Sequence, residues 1–146
     1  MGKIKTGVIG TGSMGANHLR VYRKLSHVCD LVGIYDANAQ RCGFMQDTYG
    51  ARCFNSSEEL LERVDAISIV VPTAAHYETA MKALNNGVHV LLEKPIAEHV
   101  EQGAELTDTA DTLGLVLQVG HIERFNPAVE VLPEILRDKQ VVALDF

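Results

Sequence analysis

The stretch Ile4-Lys5-Thr6-Gly7-Val8-Ile9-Gly10-Thr11-Gly12-Ser13-Met14-Gly15 decides the fold. A run of strand length enters a GxGxxG turn, and a helical pattern opens directly after it. Gly10 permits a tight strand-to-helix reversal, Gly12 removes a side chain where a pyrophosphate must approach the backbone, and Gly15 lets the helix lie close on the strand. The unpaired N–H groups of the first helical turn, at Ser13, Met14 and Gly15, then face the phosphates. Met14, His18, Val21, Tyr22 and Leu25 share one helical stripe, which predicts the side that packs on the sheet.

Working outward, Asp30 to Asp36 reads as a second strand ending in a carboxylate about 20 residues past the turn, the spacing of a dinucleotide-binding βαβ unit. Asp36 is placed to accept hydrogen bonds from a ribose diol and to repel a 2′-phosphate, and neither Ala37 nor Asn38 supplies a cation. The expected cofactor is NAD rather than NADP. The alternative role for Asp36 is to N-cap a helix over 37–49.

The apolar and helical patterns continue to alternate. Ala66 to Val71 reads as a strand, Tyr77, Ala80, Met81 and Leu84 mark a helix stopped by Gly87, and His89 to Glu93 reads as the next strand. A helix from about Glu98 to Leu113 ends at Gly114, and Leu115 to Val119 forms a further strand. Ser56 with Glu59 is a capping-box pattern for a short helix over Leu60, Leu61 and Val64. This order implies a doubly wound Rossmann α/β domain over residues 1–120, with a mainly parallel sheet and helices on both faces. Residues 121–146 read as a connecting helix, capped by Asn126 and Pro127 and carrying Pro133 inside it, and then a strand from Val141 to Phe146. A strand ending at the last residue makes a poor terminal edge, so the chain is expected to be the front portion of a longer protein.

Composition narrows the function classes. The 146 residues are 47% hydrophobic with a formal charge of −6 and no Lys/Arg cluster, which fits one soluble domain with a small-molecule ligand rather than a nucleic-acid surface. No apolar run approaches a membrane span. Cys29, Cys42 and Cys53 are odd in number and lack CxxC spacing, arguing against a disulfide or zinc framework and for a reducing cytoplasm. His18, His27, His89 and His99 show no ligand spacing, and no residue is assigned to metal.

In an open α/β sheet, ligands bind beyond the carboxyl ends of the strands. Val71-Pro72-Thr73 with His76, Glu93-Lys94-Pro95, and Gln118 to His121 occupy such ends. Lys94 beside a bound nicotinamide is the candidate for exchanging a proton with a substrate hydroxyl; the plainer role is a surface ion pair with Glu93.

The glycine turn, Pro72-Thr73 with His76, the run Gly87 to Pro95, and Gly120-His121-Ile122-Glu123-Arg124-Phe125-Asn126-Pro127 together resemble the amino-terminal half of the glucose-fructose oxidoreductase, inositol dehydrogenase and rhizopine-catabolism (Gfo/Idh/MocA) family. That resemblance covers essentially the whole chain, and its Glu-Lys-Pro element is far more specific than the glycine turn. It implies an NAD-dependent dehydrogenase acting on the hydroxyl carbon of a sugar, nucleotide sugar or cyclic polyol, closest in flavour to nucleotide-sugar 3-dehydrogenases. Lys94 then carries proton transfer, with Glu93 positioning it and Pro95 in a cis peptide bond. Gly10, Gly12, Ser13, Met14, Gly15, Asp36, Val71, Pro72, Thr73, His76, Glu93 and Gln118 are expected on the cofactor, and His121 and Arg124 toward substrate. It further implies a second α/β substrate domain, largely absent from this chain, a homo-oligomer at full length, and weak or no turnover by 146 residues alone. A non-catalytic NAD-sensing module is the competing reading.

Overall fold

The computed structural model describes residues 2–137. Six strands, β1 (Ile4–Ile9), β2 (Cys29–Tyr35), β3 (Arg52–Cys53), β4 (Ala66–Ile69), β5 (His89–Leu92) and β6 (Leu117–Val119), form one sheet in the order β3-β2-β1-β4-β5-β6. Every pairing is parallel. The order reverses between β1 and β4, so a crevice opens beyond their carboxyl ends.

Parallel strands need crossovers, and helices supply them: α1 (Ser13–Lys24), α2 (Ala39–Tyr49), α3 (Ser57–Leu61), α4 (His76–Asn85) and α5 (Val100–Leu113). Adjacent strand residues point to opposite faces. Val8 and Ile34 thus join Leu19 of α1 and Cys42 of α2 in one buried cluster. Ile9, Ile69 and Leu92 face the other side, against Leu60, Leu84 and Leu106 of α3, α4 and α5. Truncating a fully buried leucine such as Leu106 should cost about 2–5 kcal/mol.

Two glycines make the first crossover possible. Gly10 has φ +90°, and a Cβ there would collide with the Val70 carbonyl; one on Gly15 would strike the Gly10 carbonyl. This close approach rotates α1 away from the stripe expected from sequence. Gly15 and Leu19 are buried, with His18 and Tyr22 partly so, whereas Met14, Val21 and Leu25 are exposed. Contact at Gly15, rather than the most apolar side, sets the helix phase.

The capping pattern at Ser56 is half realised: its hydroxyl accepts from Glu59 N, while Glu59 Oε2 accepts from Asn55 N. Gly114 ends α5 at φ +65°, as expected. Beyond β6 the single helix expected over Pro127 to Leu136 is instead two four-residue pieces, α6 (Pro127–Glu130) and α7 (Leu132–Ile135). Pro133 supplies no N–H to an earlier carbonyl, so the helix breaks at Val131 and restarts with Pro133 in its first turn. The strand expected at 141–146 lies outside the described residues.

The cysteine reading is corrected outright. Cys42 of α2 and Cys53 of β3 form a disulfide with Cα atoms 5.8 Å apart, and Cys29 is free and buried. Gly50, at φ +67°, turns the chain straight from α2 into β3, which brings the two cysteines together without any CxxC spacing. With this bond the cysteines no longer point to a reducing compartment. No helix among the described residues is long and apolar enough to cross a membrane.

Candidate functional site

The crevice at the switch point is an open cleft of about 1030 Å³. Its walls include the glycine turn, Asp36, the Val71-Pro72-Thr73 segment, His76, Glu93 and Lys94. Asp36 follows β2 and Lys94 follows β5, so they stand three strand spacings apart, about 14 Å across the sheet.

At the β1–α1 turn, Gly12 has no side chain to cap the helix, and the N–H groups of Ser13, Met14 and Gly15 precede the first residue able to bond within it, Ala16 to the Gly12 carbonyl. A Cβ on Gly12 would meet nothing nearer than Arg41 Nη1, at 3.7 Å. Uncapped donors beside open space suit a pyrophosphate.

Asp36 does not cap α2. Asn38 does, accepting from Arg41 N. Asp36 Oδ2 instead accepts from both the N–H and the hydroxyl of buried Thr11, at 2.7 and 2.9 Å, and Oδ1 accepts from Asn38 N at 2.8 Å. Burial opposes the carboxylate's charge, but the Thr11 and Asn38 N–H groups, the Thr11 hydroxyl and the Arg41 guanidinium outweigh it and hold the carboxyl below its ordinary 3.8. Arg41 Nε lies 3.8 Å from Asp36 Oδ2. The sequence reading found no cation at 37 or 38; α2 brings one from its first turn.

Across the cleft, the Lys94–Pro95 peptide bond is cis. His76 is 1% exposed, with Nδ1 2.7 Å from the Pro95 carbonyl oxygen and Nε2 2.9 Å from that of Val71. Both partners are carbonyl oxygens, so the N–H of a neutral ring donates to one of them while the other nitrogen stands against the second, and the ring lies between the lysine turn and the end of β4.

Lys94 lines the cleft with an exposed side chain, and among the described residues no carboxylate stands within 4.0 Å of its ammonium. The surface ion pair with Glu93 is absent. Glu93 turns inward to His18 Nε2, 3.1 Å away, and accepts from Lys94 N at 3.3 Å.

Of the residues expected on the cofactor, Gln118 alone is outside this wall: it sits mid-way along β6, exposed and paired with Leu91 of β5. His121 and Arg124 are also outside it and exposed. The cleft adds Arg41, Ser57 and Thr79, which sequence reasoning passed over. Arg41 was findable, since an i, i+3 step from the cap Asn38 points it back over the turn.

A profile of the oxidoreductase family with an NAD-binding Rossmann fold matches residues 4–121. UDP-N-acetylglucosamine 3-dehydrogenase of Acidithiobacillus ferrooxidans is 40% identical over 129 residues, which cover 88% of this chain and 40% of that enzyme. Inositol 2-dehydrogenase of Rubrobacter xylanophilus is 31% identical over 128 residues, covering 86% and 37%. The solved WlbA dehydrogenase from Bordetella pertussis, in complex with NADH and UDP-GlcNAcA, superposes with a TM-score of 0.87 at 28% identity, covering 93% of this chain and 43% of that one. The chain thus spans about two fifths of the length of the curated relatives it matches.

Proposed function

The chain belongs to the Gfo/Idh/MocA oxidoreductase family with an NAD-binding Rossmann fold, and from that premise we propose that it forms the cofactor and proton-transfer side of a dehydrogenase acting on a hydroxyl carbon of a sugar or nucleotide sugar. One observation carries the reading: a single cleft is bounded by the uncapped helix α1, by Asp36 and by Lys94.

The α1 N–H groups and Gly12 would hold the pyrophosphate, and Asp36, fixed by Thr11, would meet the adenosine ribose. When bound, NAD supplies the hydride acceptor. Lys94 Nζ is the atom at which the substrate hydroxyl exchanges its proton, with His76 against the neighbouring backbone and Thr73 on the wall of the cleft. A nucleotide sugar is favoured as substrate because a UDP-N-acetylglucosamine 3-dehydrogenase shares 40% identity with the chain.

We place the dinucleotide-binding unit in residues 1–120 and assign 121–146 to the start of a substrate domain. The exposure of Ile122 (60%) and Phe125 (69%) in the latter supports this division. Gln118, His121 and Arg124 then belong with substrate-side surfaces rather than the cofactor. A homo-oligomer completes the reading, and sedimentation of the protein checks it.

The test is a screen of sugars and nucleotide sugars with NAD, UDP-N-acetylglucosamine among them, following NADH formation by the protein in its whole gene-encoded length. NADH formation dependent on such a substrate is expected. Saturable NAD binding with no hydroxyl substrate turned over would favour the sensing module instead.

A further inference from the structure

His18 is a polar residue on the sheet-facing side of α1, in a position the cofactor turn does not use. Its surroundings give it a direction. Nδ1 lies 3.1 Å from Ser68 Oγ on β4, Nε2 lies 3.1 Å from Glu93 Oε1, and Tyr22 OH stands 2.7 Å from the same Ser68 oxygen. Ser68 is fully buried, and the side chains of His18 and Glu93 are only 15% and 13% exposed.

Proton counting orders these contacts. With Glu93 ionised, Nε2–H donates to the carboxylate, Nδ1 accepts from the Ser68 hydroxyl, and Ser68 accepts from Tyr22. Each hydroxyl donates once, and none of the ring nitrogens is left unpaired. Burial raises the Tyr22 phenol above its ordinary 10.0, which keeps it a donor. Glu93 Oε2 then takes the Lys94 N–H. A Cβ on Gly120, the residue after β6, would stand 3.2 and 3.3 Å from the two carboxylate oxygens, so a side chain there would press Glu93 aside by a few tenths of an ångström.

We propose that His18 is a positioning residue for Lys94: through Glu93 it ties helix α1 to the lysine turn after β5 and so fixes where Lys94 stands over the cleft. This rests on the assignment of Lys94 to proton transfer.

Two substitutions separate positioning from packing. His18→Gln places an amide N–H near the old Nε2 and can still donate to Glu93; His18→Asn is one bond shorter and reaches only the Ser68 side. In the enzyme supplied with NAD and UDP-N-acetylglucosamine, His18→Asn should lower kcat on the order of 10- to 100-fold, with the NAD dissociation constant moved less than about threefold, while His18→Gln restores most of the rate. Glu93→Ala should match His18→Asn, and the double variant should be no slower than Glu93→Ala alone. Independently of turnover, the Lys94 and Gly120 amide resonances should shift in His18→Asn and stay near wild type in His18→Gln. Unmoved amide resonances in His18→Asn, equal rates for the two His18 variants, or multiplying losses in the double variant overturn the proposal. Full turnover by Lys94→Ala defeats the lysine assignment itself, and the amide resonances still decide whether His18 fixes the turn.

Discussion

The N–H and the hydroxyl of Thr11 both donate to one oxygen of Asp36, Oδ2, at 2.7 and 2.9 Å. The carboxylate is therefore oriented by the glycine turn itself before any ligand arrives, which reduces the ordering cost of binding. Thr11→Val keeps the shape and removes one donor. It should lower unfolding free energy by about 1–2 kcal/mol and raise the NAD dissociation constant several-fold, measured by denaturant titration and calorimetry.

Arg41 changes what removal of that carboxylate should do. With Asp36 present, the guanidinium is paired at 3.8 Å; in Asp36→Ala it is released at the edge of the cleft, where a 2′-phosphate would sit. The single substitution should reduce the NAD over NADP preference by at least about tenfold, equivalent to 1.4 kcal/mol, without an added arginine. An unchanged ratio of the two dissociation constants would remove Asp36 from the ribose.

Acid should destabilise the fold through Asp36 and Glu58. Both carboxyls have lowered values in the folded state, Glu58 down to about 2 through its hydrogen bond from Lys82. Groups lowered on folding stabilise fully above their unfolded values and lose that contribution as pH falls through the folded ones. Stability from these two should hold above pH 5 and decline from the ordinary 4.5 and 3.8 downward, ending near pH 2 for Glu58. Asp36→Asn should flatten the slope below pH 4, read from denaturation midpoints at several pH values.

Reduction should loosen α2 from β3. The disulfide closes a separation of 11 residues, for which chain entropy gives about 2–3 kcal/mol. Dithiothreitol should lower the unfolding free energy by that amount. Thiol titration of the denatured, unreduced protein should find one free cysteine; three would mean the bond is absent in solution.

What could be read in the sequence follows the range of the interactions. The turn from Gly10 to Gly15, the strand before it and Asp36 lie within one βαβ unit, where local spacing carries the geometry. The Asn126 and Gly114 caps are likewise local, each set within one turn of its own helix. The phase of α1 is not legible in its apolar stripe, because the contact of Gly15 with Gly10 outweighs burial of Met14, Val21 and Leu25. The Cys42–Cys53 bond, the salt bridge of Arg41 to Asp36 and the contact of His18 with Glu93 all depend on how separate elements pack. No periodicity marks such pairs. Lys94 is a candidate from its place at a strand end, and only the resemblance to a family favours proton transfer over a surface ion pair, since an exposed lysine has no local signature of chemistry.

The most direct measurement of the central claim is a comparison of wild type and Lys94→Ala in the protein of whole gene-encoded length, with NAD titrated by calorimetry and hydride transfer from UDP-N-acetylglucosamine followed in single turnovers. NAD affinity should change less than about threefold while the rate of NADH formation falls at least about 100-fold, the size of a lost general acid–base group. Wild-type rates in Lys94→Ala, with NAD bound normally, would contradict it.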